Sequence, residues 1–222
     1  MHKNKIMIKT VILDFDGTIG DTRRLIVSSM QETLARLGLP KLSDEQCAST
    51  IGLPLRQSFA RLSSINETKA AECEATYREI FSRNNTNYTV PIFPHVLETI
   101  NFLNEKSLTI TIASSRSNYS LQKLIKELNL DDKIKYFVGA NDVKQAKPAP
   151  DMVLKIMENT GDSPKNIIVV GDTNYDIAMG HAAGTMTCGV TYGNGKPEDI
   201  SDADFIINDI AKLAEIIMNI NS

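Results

Sequence analysis

The sequence predicts an α/β protein, a doubly wound parallel sheet into which an all-helical segment is inserted. Three observations lead there. An apolar, β-branched run, Val11-Ile12-Leu13, stops at two acids, Asp14 and Asp16. From about residue 90 onward, strand-like runs alternate with helix-period stretches, the order that yields a parallel sheet covered on both faces. Between the two, residues 22–88 contain no convincing strand. The first strand therefore belongs with the later ones. The expected division is a discontinuous core of residues 1–21 and 89–222 and a helical cap of residues 22–88. Open α/β sheets bind ligands beyond the carboxyl ends of their strands, so a segment leaving from the end of the first strand would lie over the site as a lid.

The elements follow in order. Ile6 to Ile8 read as a possible extension of the first strand. Leu25, Ile26, Met30, Leu34 and Leu37 recur at helical spacing until Gly38 and Pro40 stop them. Ser43 with Gln46 three residues on has the form of a capping box. Gly52 and Pro54 mark a turn, IGLPL, before helical stretches at Leu55–Leu62 and Glu67–Phe81. The polar run SRNNTNYT, residues 82–89, reads as a connection. Helices are then expected at Val96–Leu103, Tyr119–Leu128, Pro150–Thr160, Ile177–Ala183 and Ile210–Ile220. Strands are expected at Leu108–Ala113, Tyr136–Gly139, Ile167–Val170, Cys188–Thr191 and Phe205–Ile207.

Composition narrows the function. Of 222 residues, 42% are apolar and 23% charged, with a net charge of −3, so no basic stripe offers itself to nucleic acid. A small anionic substrate needs only a local positive site. Cys47, Cys73 and Cys188 have no metal-ligand spacing and read as buried thiols in a reducing, cytoplasmic setting. No stretch is long enough to cross a membrane, and the apolar run behind the N-terminal lysines is a core strand rather than a signal peptide. A monomer or weak homodimer is expected.

The chemistry concentrates where strands end. Strand period puts Asp14 and Asp16 on one side and Phe15 on the other. Two carboxylates facing one spot can hold a hard cation, share a proton, or split into nucleophile and acid. Three more polar clusters follow predicted strands: Ser114-Ser115-Arg116, Lys147-Pro148, and Gly171-Asp172-Thr173-Asn174-Tyr175-Asp176. Gathered at one sheet edge they offer carboxylates, a hydroxyl, an ammonium and N–H donors, which is an inventory for phosphoryl transfer.

With DFDGT, the strand-end Ser114, the lysine of AKPAPD and GDTNYD in this order, the chain resembles the haloacid dehalogenase superfamily. The likeness is to the phosphatase branch near phosphoglycolate phosphatases, with a Rossmann-like core and a helical cap. The resemblance implies a Mg²⁺-dependent phosphohydrolase acting on a small phosphorylated metabolite. Asp14 would be the nucleophile that becomes an aspartyl-phosphate, and Asp16 the acid and base. Ser114, with the Ser115 N–H, and Lys147 would bind the phosphate. Asp172, the Asp14 carboxylate and the Asp16 carbonyl would hold Mg²⁺. Thr18 would support the loop or finish a turn. Asp176 would pair with Lys147 or sit behind the metal, against a purely helix-terminal role. Ser115 and Ser117 are also plausible helix caps; Arg116 could reach substrate but reads first as solvated, and Lys144 reads as surface. Arg23 and Gly52, at the hinge and in the IGLPL turn, are candidates for specificity contacts.

Other readings are weaker. A phosphosugar mutase of the same superfamily would carry a histidine near Arg23–Met30, where there is none. A true dehalogenase would lack Asp16. A phospho-accepting receiver module shares the residue types but is shorter and has no cap. GVTYGNGKP imitates a phosphate loop but has Val190 and Pro197 where glycine and Ser/Thr belong. His2, His95 and His181 are isolated, and His95 stands where relatives often have glycine. Asn84-Asn85-Thr86 has the form of a glycosylation acceptor, without meaning absent a signal peptide.

Overall fold

The computed structural model describes residues 6–86 and 90–222. Six parallel strands form one sheet in the order β3-β2-β1-β4-β5-β6. They are β1 (Thr10–Leu13), β2 (Thr109–Ser114), β3 (Tyr136–Gly139), β4 (Ile167–Gly171), β5 (Met186–Val190) and β6 (Phe205–Ile207). The chain order reverses between β1 and β4, and crevices that take ligands open at such switch points. Asp14 follows β1 and Asp172 follows β4, so both sit at that crevice by topology alone.

Strand alternation decides which helices cover which face. Val11 and Leu13 of β1 point into a cluster with α5 (Val96–Glu105) and α9 (Ala211–Asn221), through Ile100, Leu103, Leu213 and Ile217. Leu121 and Leu124 of α6 (Asn118–Glu127) join the same cluster. Ile12 points the other way, to Met152 and Ile156 of α7 (Asp151–Thr160) and Met179 of α8 (Asn174–Ala183). Each such buried side chain contributes about 1.5–3 kcal/mol.

Helices α1 (Arg23–Arg36), α2 (Asp44–Ala48), α3 (Leu55–Ser63) and α4 (Glu67–Thr86) have a separate apolar cluster, with Met30, Leu34, Phe59, Cys73 and Phe81 among its members. The capping box at Ser43 and Gln46 is present, each bonding the other's backbone N–H. The chain leaves for these helices and returns through one paired strip. The Asp21 N–H donates to the Pro91 carbonyl at 2.8 Å, and the Phe93 N–H donates to the Ile19 carbonyl at 3.0 Å.

Three expectations need correction. Residues 6–8 do not extend the first strand, which begins at Thr10; Ile8 is nonetheless buried, its N–H tied to the Asn221 side chain. The run at 82–89 is not simply a connection, because α4 continues through Thr86. Arg83 reaches Glu32 and Asn84 reaches Ser29 across to α1, which keeps the last turns in contact; residues 87–89 lie outside the described residues. Helix α8 begins at Asn174, three residues before the apolar pattern. His95 has φ 62°, which accounts for a glycine preference there, and it pairs with Asp209 at 2.9 Å. His181 contacts Thr187, and His2 lies outside the described residues. The three cysteines are buried, and burial pushes the Cys188 thiol up to about 12.

Candidate active site

The four polar clusters do meet at one sheet edge. Lys147 is their centre. Its ammonium donates to Asp14 Oδ1 at 2.6 Å and to Asp176 Oδ1 at 2.5 Å, and all three side chains are buried. Burial alone would lower the lysine pKa, but the two carboxylates outweigh it and hold the pKa above its ordinary value. Lys144 is exposed, as expected.

Asp176 is engaged at both oxygens. Its Oδ2 accepts from the Thr173 N–H at 3.1 Å and the Thr173 hydroxyl at 2.7 Å, while Oδ1 holds Lys147. It therefore fills two of the three roles considered for it, lysine partner and helix-terminal acid. Asp172 lies before the helix, with Thr173 as the N-cap, so it does not share a helix face with Asp176.

Ligand oxygens of Asp14, Asp172 and Asp176 can be chosen within 4.8 Å of one another. The Asp14 carboxyl is pushed up to about 7, with burial raising it most, Lys147 opposing, and Asp176 and Asp16 adding to the rise. Burial raises Asp172 well above the usual carboxylate range, with Asp14 and Asp176 adding to it. Asp172 Oδ1 is buried and finds no partner among the described residues. A buried carboxylate oxygen without a donor is costly, and its neighbours are themselves acids. This donor set fits a hard cation. With Asp176 committed, Asp14 and Asp172 are the carboxylates that can hold it.

Two groups around this cluster were not read from the sequence. The loop after β5, dismissed above as a failed phosphate loop, wraps Asp172 instead: the Asn194 and Gly195 N–H groups donate to Asp172 Oδ2 at 2.5 and 3.3 Å. The Asn194 side-chain amide donates to the Asp16 carbonyl at 3.0 Å, the same carbonyl expected to face the metal. Gly17 makes room for this approach. It has φ 102°, and a Cβ there would overlap the Asp172 carboxylate and the Asn194 amide. The signal available was two glycines flanking Asn194 directly after a strand.

The second group is Arg116, and here the expectation of a solvated arginine was wrong. Its guanidinium grips Asp16 with two bonds, Nε to Oδ2 at 2.7 Å and Nη2 to Oδ1 at 2.6 Å. Only 10% of its side chain is exposed. The Phe15 and Phe81 rings lie 5.6 and 4.8 Å from it, one from the sheet edge and one from α4. Asp16 Oδ1 also accepts from the Thr22 hydroxyl at 2.6 Å. Both Asp16 oxygens are engaged, and their partners set the direction of the carboxylate. Arg116 stands two residues after the strand-end serine, a position that could have drawn attention to it.

The remaining predicted residues divide. Ser114 is buried and lines the cavity with Asp14 and Asp16. The Ser115 hydroxyl donates to the Gly52 carbonyl at 2.5 Å, which seats the IGLPL turn on the sheet edge. Ser117, not Ser115, caps α6. Gly52 has φ 100° and would meet Tyr175 if it carried a Cβ. Thr18 is buried; its carbonyl accepts from the Tyr192 hydroxyl, while its own hydroxyl finds no partner among the described residues. Arg23 is not part of the cavity wall; half-buried, it faces the exposed Glu45 at 3.8 Å. The cavity, about 490 Å³, runs from Asp14 and Ser114 up between α1, α3 and α4.

The family model described as haloacid dehalogenase-like hydrolase matches residues 11–190. A pyrophosphatase PpaX of Oceanobacillus iheyensis is 30% identical over 212 residues, 95% of this chain and 97% of its own length. A phosphoglycolate phosphatase of Aquifex aeolicus is 28% identical over 186 residues, 84% of this chain and 86% of its own. The crystal structure of a haloacid dehalogenase-like hydrolase from Bacteroides fragilis superposes with a TM-score of 0.83 at 27% identity, covering 93% of this chain and 99% of that one.

Proposed function

Because the chain belongs to the haloacid dehalogenase-like hydrolases, we propose that it is a Mg²⁺-dependent phosphatase that cleaves a small phosphate monoester through an aspartyl-phosphate on Asp14. The observation that carries this reading is the buried Asp14–Lys147–Asp176 triad beside an unpartnered Asp172 oxygen, at the mouth of a cavity walled by Ser114. A phosphatase fits the activities for which the relatives are named, a pyrophosphatase and a phosphoglycolate phosphatase.

In this reading an Asp14 oxygen attacks phosphorus and the bond to the leaving oxygen breaks. Asp16 gives that oxygen its proton. Water then attacks the aspartyl-phosphate, Asp16 takes the water's proton, the bond to Asp14 breaks and inorganic phosphate leaves. Lys147 keeps Asp14 ionised and screens the approaching anion, and Ser114 with the Ser115 N–H holds phosphoryl oxygens. Mg²⁺, held by Asp14, Asp172 and the Asp16 carbonyl, would add positive charge where two anions must meet. The Asp16 carbonyl accepts from the Asn194 amide through one lone pair and keeps its second for that role. Residues 22–88 act as the lid, with Gly52 at its contact with the sheet edge. The expected setting is cytoplasmic, with a monomer or weak homodimer.

The test is turnover of p-nitrophenyl phosphate. EDTA is expected to abolish it, and added Mg²⁺ to restore it in full. Turnover that survives exhaustive chelation would remove the metal from the mechanism.

Arg116 acts here as a positioning residue, aiming Asp16 and yielding it to the leaving oxygen. Arg116→Met is expected to lower kcat for an alkyl phosphate roughly tenfold or more, the loss of a charged hydrogen bond. The loss on p-nitrophenyl phosphate should be smaller, because p-nitrophenolate departs with little need of a proton. Arg116→Lys, which keeps the charge but not the fork, should fall between. Equal losses on both esters would argue that Arg116 only maintains the fold.

A further inference from the structure

The loop that follows β5 bears on the choice of metal. Building on the Mg²⁺-dependent reading, we infer that residues 192–196 form a clamp that makes the site prefer Mg²⁺ to Ca²⁺, by leaving Asp172 a single oxygen to offer.

The loop is fixed on both sides of the crevice. On the β1 side, the Tyr192 hydroxyl donates to the Thr18 carbonyl at 3.1 Å, and the Asn194 side-chain amide donates to the Asp16 carbonyl at 3.0 Å. The Tyr192 ring packs on Phe93, with centroids 4.8 Å apart, and so leans on the paired strip. On the β4 side, the Asn194 and Gly195 N–H groups donate to Asp172 Oδ2 at 2.5 and 3.3 Å. The approach is too close for side chains at either flanking position. A Cβ on Gly193 would lie 2.3 Å from the Asp172 Cβ, and one on Gly195 would lie 1.9 Å from the Asp172 carbonyl oxygen. Asn194 thus touches two groups expected to face the cation, one through its side chain and one through its backbone. It is a positioning residue that fixes their spacing.

The clamp also sets how many oxygens the site presents. Asp172 is only 1% exposed, and its two oxygens are treated differently. Two N–H donors fill the two acceptor sites of Oδ2. Oδ1 is buried without a partner among the described residues, so it alone is left to meet a cation. Asp176, the third carboxylate of the cluster, is engaged at both oxygens. Asp14 has one oxygen on Lys147. Ca²⁺ takes about six to eight oxygens at about 2.3–2.6 Å, often two from one carboxylate. Mg²⁺ takes about six at about 2.0–2.1 Å and keeps several waters among them. Carboxylates held to single oxygens suit the Mg²⁺ shell and leave the Ca²⁺ shell short.

The experiment reads metal binding, not turnover. The melting temperature of the metal-stripped, full-length protein is followed against MgCl₂ and CaCl₂ at constant ionic strength, and the rise gives an apparent Kd for each cation. The wild type is expected to bind Mg²⁺ at least about fivefold more tightly than Ca²⁺. Gly195→Ala forces the loop off Asp172 and frees Oδ2. Its Mg²⁺-to-Ca²⁺ preference should fall about tenfold, the scale on which groups bonded to metal ligands alter affinity. Asn194→Ala keeps both N–H donors and loses only the amide tie. It should weaken both cations and change the preference by less than about threefold. A wild type that binds Ca²⁺ as tightly as Mg²⁺ overturns the clamp and leaves the Mg²⁺-dependent phosphatase standing. So does a folded Gly195→Ala with the wild-type preference, or an Asn194→Ala shifted as far as Gly195→Ala. If neither cation raises the wild-type melting temperature, the Mg²⁺ reading falls and the clamp with it. The wild-type comparison decides even if Gly195→Ala fails to fold.

Discussion

Replacing Asp14 by asparagine is expected to cut kcat for p-nitrophenyl phosphate by at least roughly ten-thousandfold, the scale on which enzymes lose rate when their covalent nucleophile is removed. The substitution keeps the shape of the side chain and takes away its charge. Stability should not follow activity down. Asp14 sits buried among Asp16, Asp172 and Asp176, and its carboxyl is pushed up to about 7 because that setting disfavours the charged form. Removing one of several crowded carboxylates relieves that repulsion while Lys147 keeps Asp176. The melting temperature of Asp14→Asn without metal is thus expected to equal or exceed that of the wild type. A dead, equally stable variant points to a lost nucleophile. A variant still turning over within tenfold of the wild type would sink the aspartyl-phosphate.

Lys147→Met should cost both activity and stability. Lys147 joins Asp14 and Asp176 in the interior with a side chain only 1% exposed. Methionine fills much of the space but leaves two buried carboxylates without their cation. Breaking such a pair costs about 3–5 kcal/mol, and thermal unfolding should show it as a drop of roughly ten degrees. The double variant Lys147→Met, Asp176→Asn removes one stranded charge and should recover part of that stability while staying inactive. Recovery of activity in the double variant would mean that Lys147 serves only to neutralise Asp176. These two outcomes separate the fold's need for Lys147 from the chemistry's.

Much of the fold was legible because its signals are local. Apolar β-branched runs ended in acids, hydroxyls or glycine, and helix-period stretches lay between them, so the parallel sheet followed from chain order. The paired carboxylates and the strand-end serine stood out because polar groups at the ends of buried strands are costly unless used, whereas Lys147, well past the end of β3, stood out through the AKPAPD likeness. The misses were of a different kind. Arg116 looked like a surface residue because nothing within a few positions shows that Asp16, a hundred residues away, will meet it. Asn194 was hidden because its work is done mainly by backbone N–H groups, which carry no residue signature. The run at 82–89 misled because its polar side chains are satisfied by helix α1, a tertiary partner that overrides local punctuation.

The paired strip of residues 19–21 and 91–93 has one more consequence. Because departure and return of the chain are bonded to each other, the two ends of the intervening helices lie side by side on a rigid seam. Below that seam the Asp14, Lys147, Asp172 and Asp176 cluster closes on itself, while Asp16 leans on the Thr22 hydroxyl and, through Arg116, on the Phe81 ring from above. The architecture is thus that of an interchangeable head on a fixed tool. Grafting a different helical head between Asp21 and residue 91, with the Thr22 hydroxyl and the Phe81 ring kept in place, is expected to exchange the alcohol that is accepted while leaving the cleavage of its phosphate untouched.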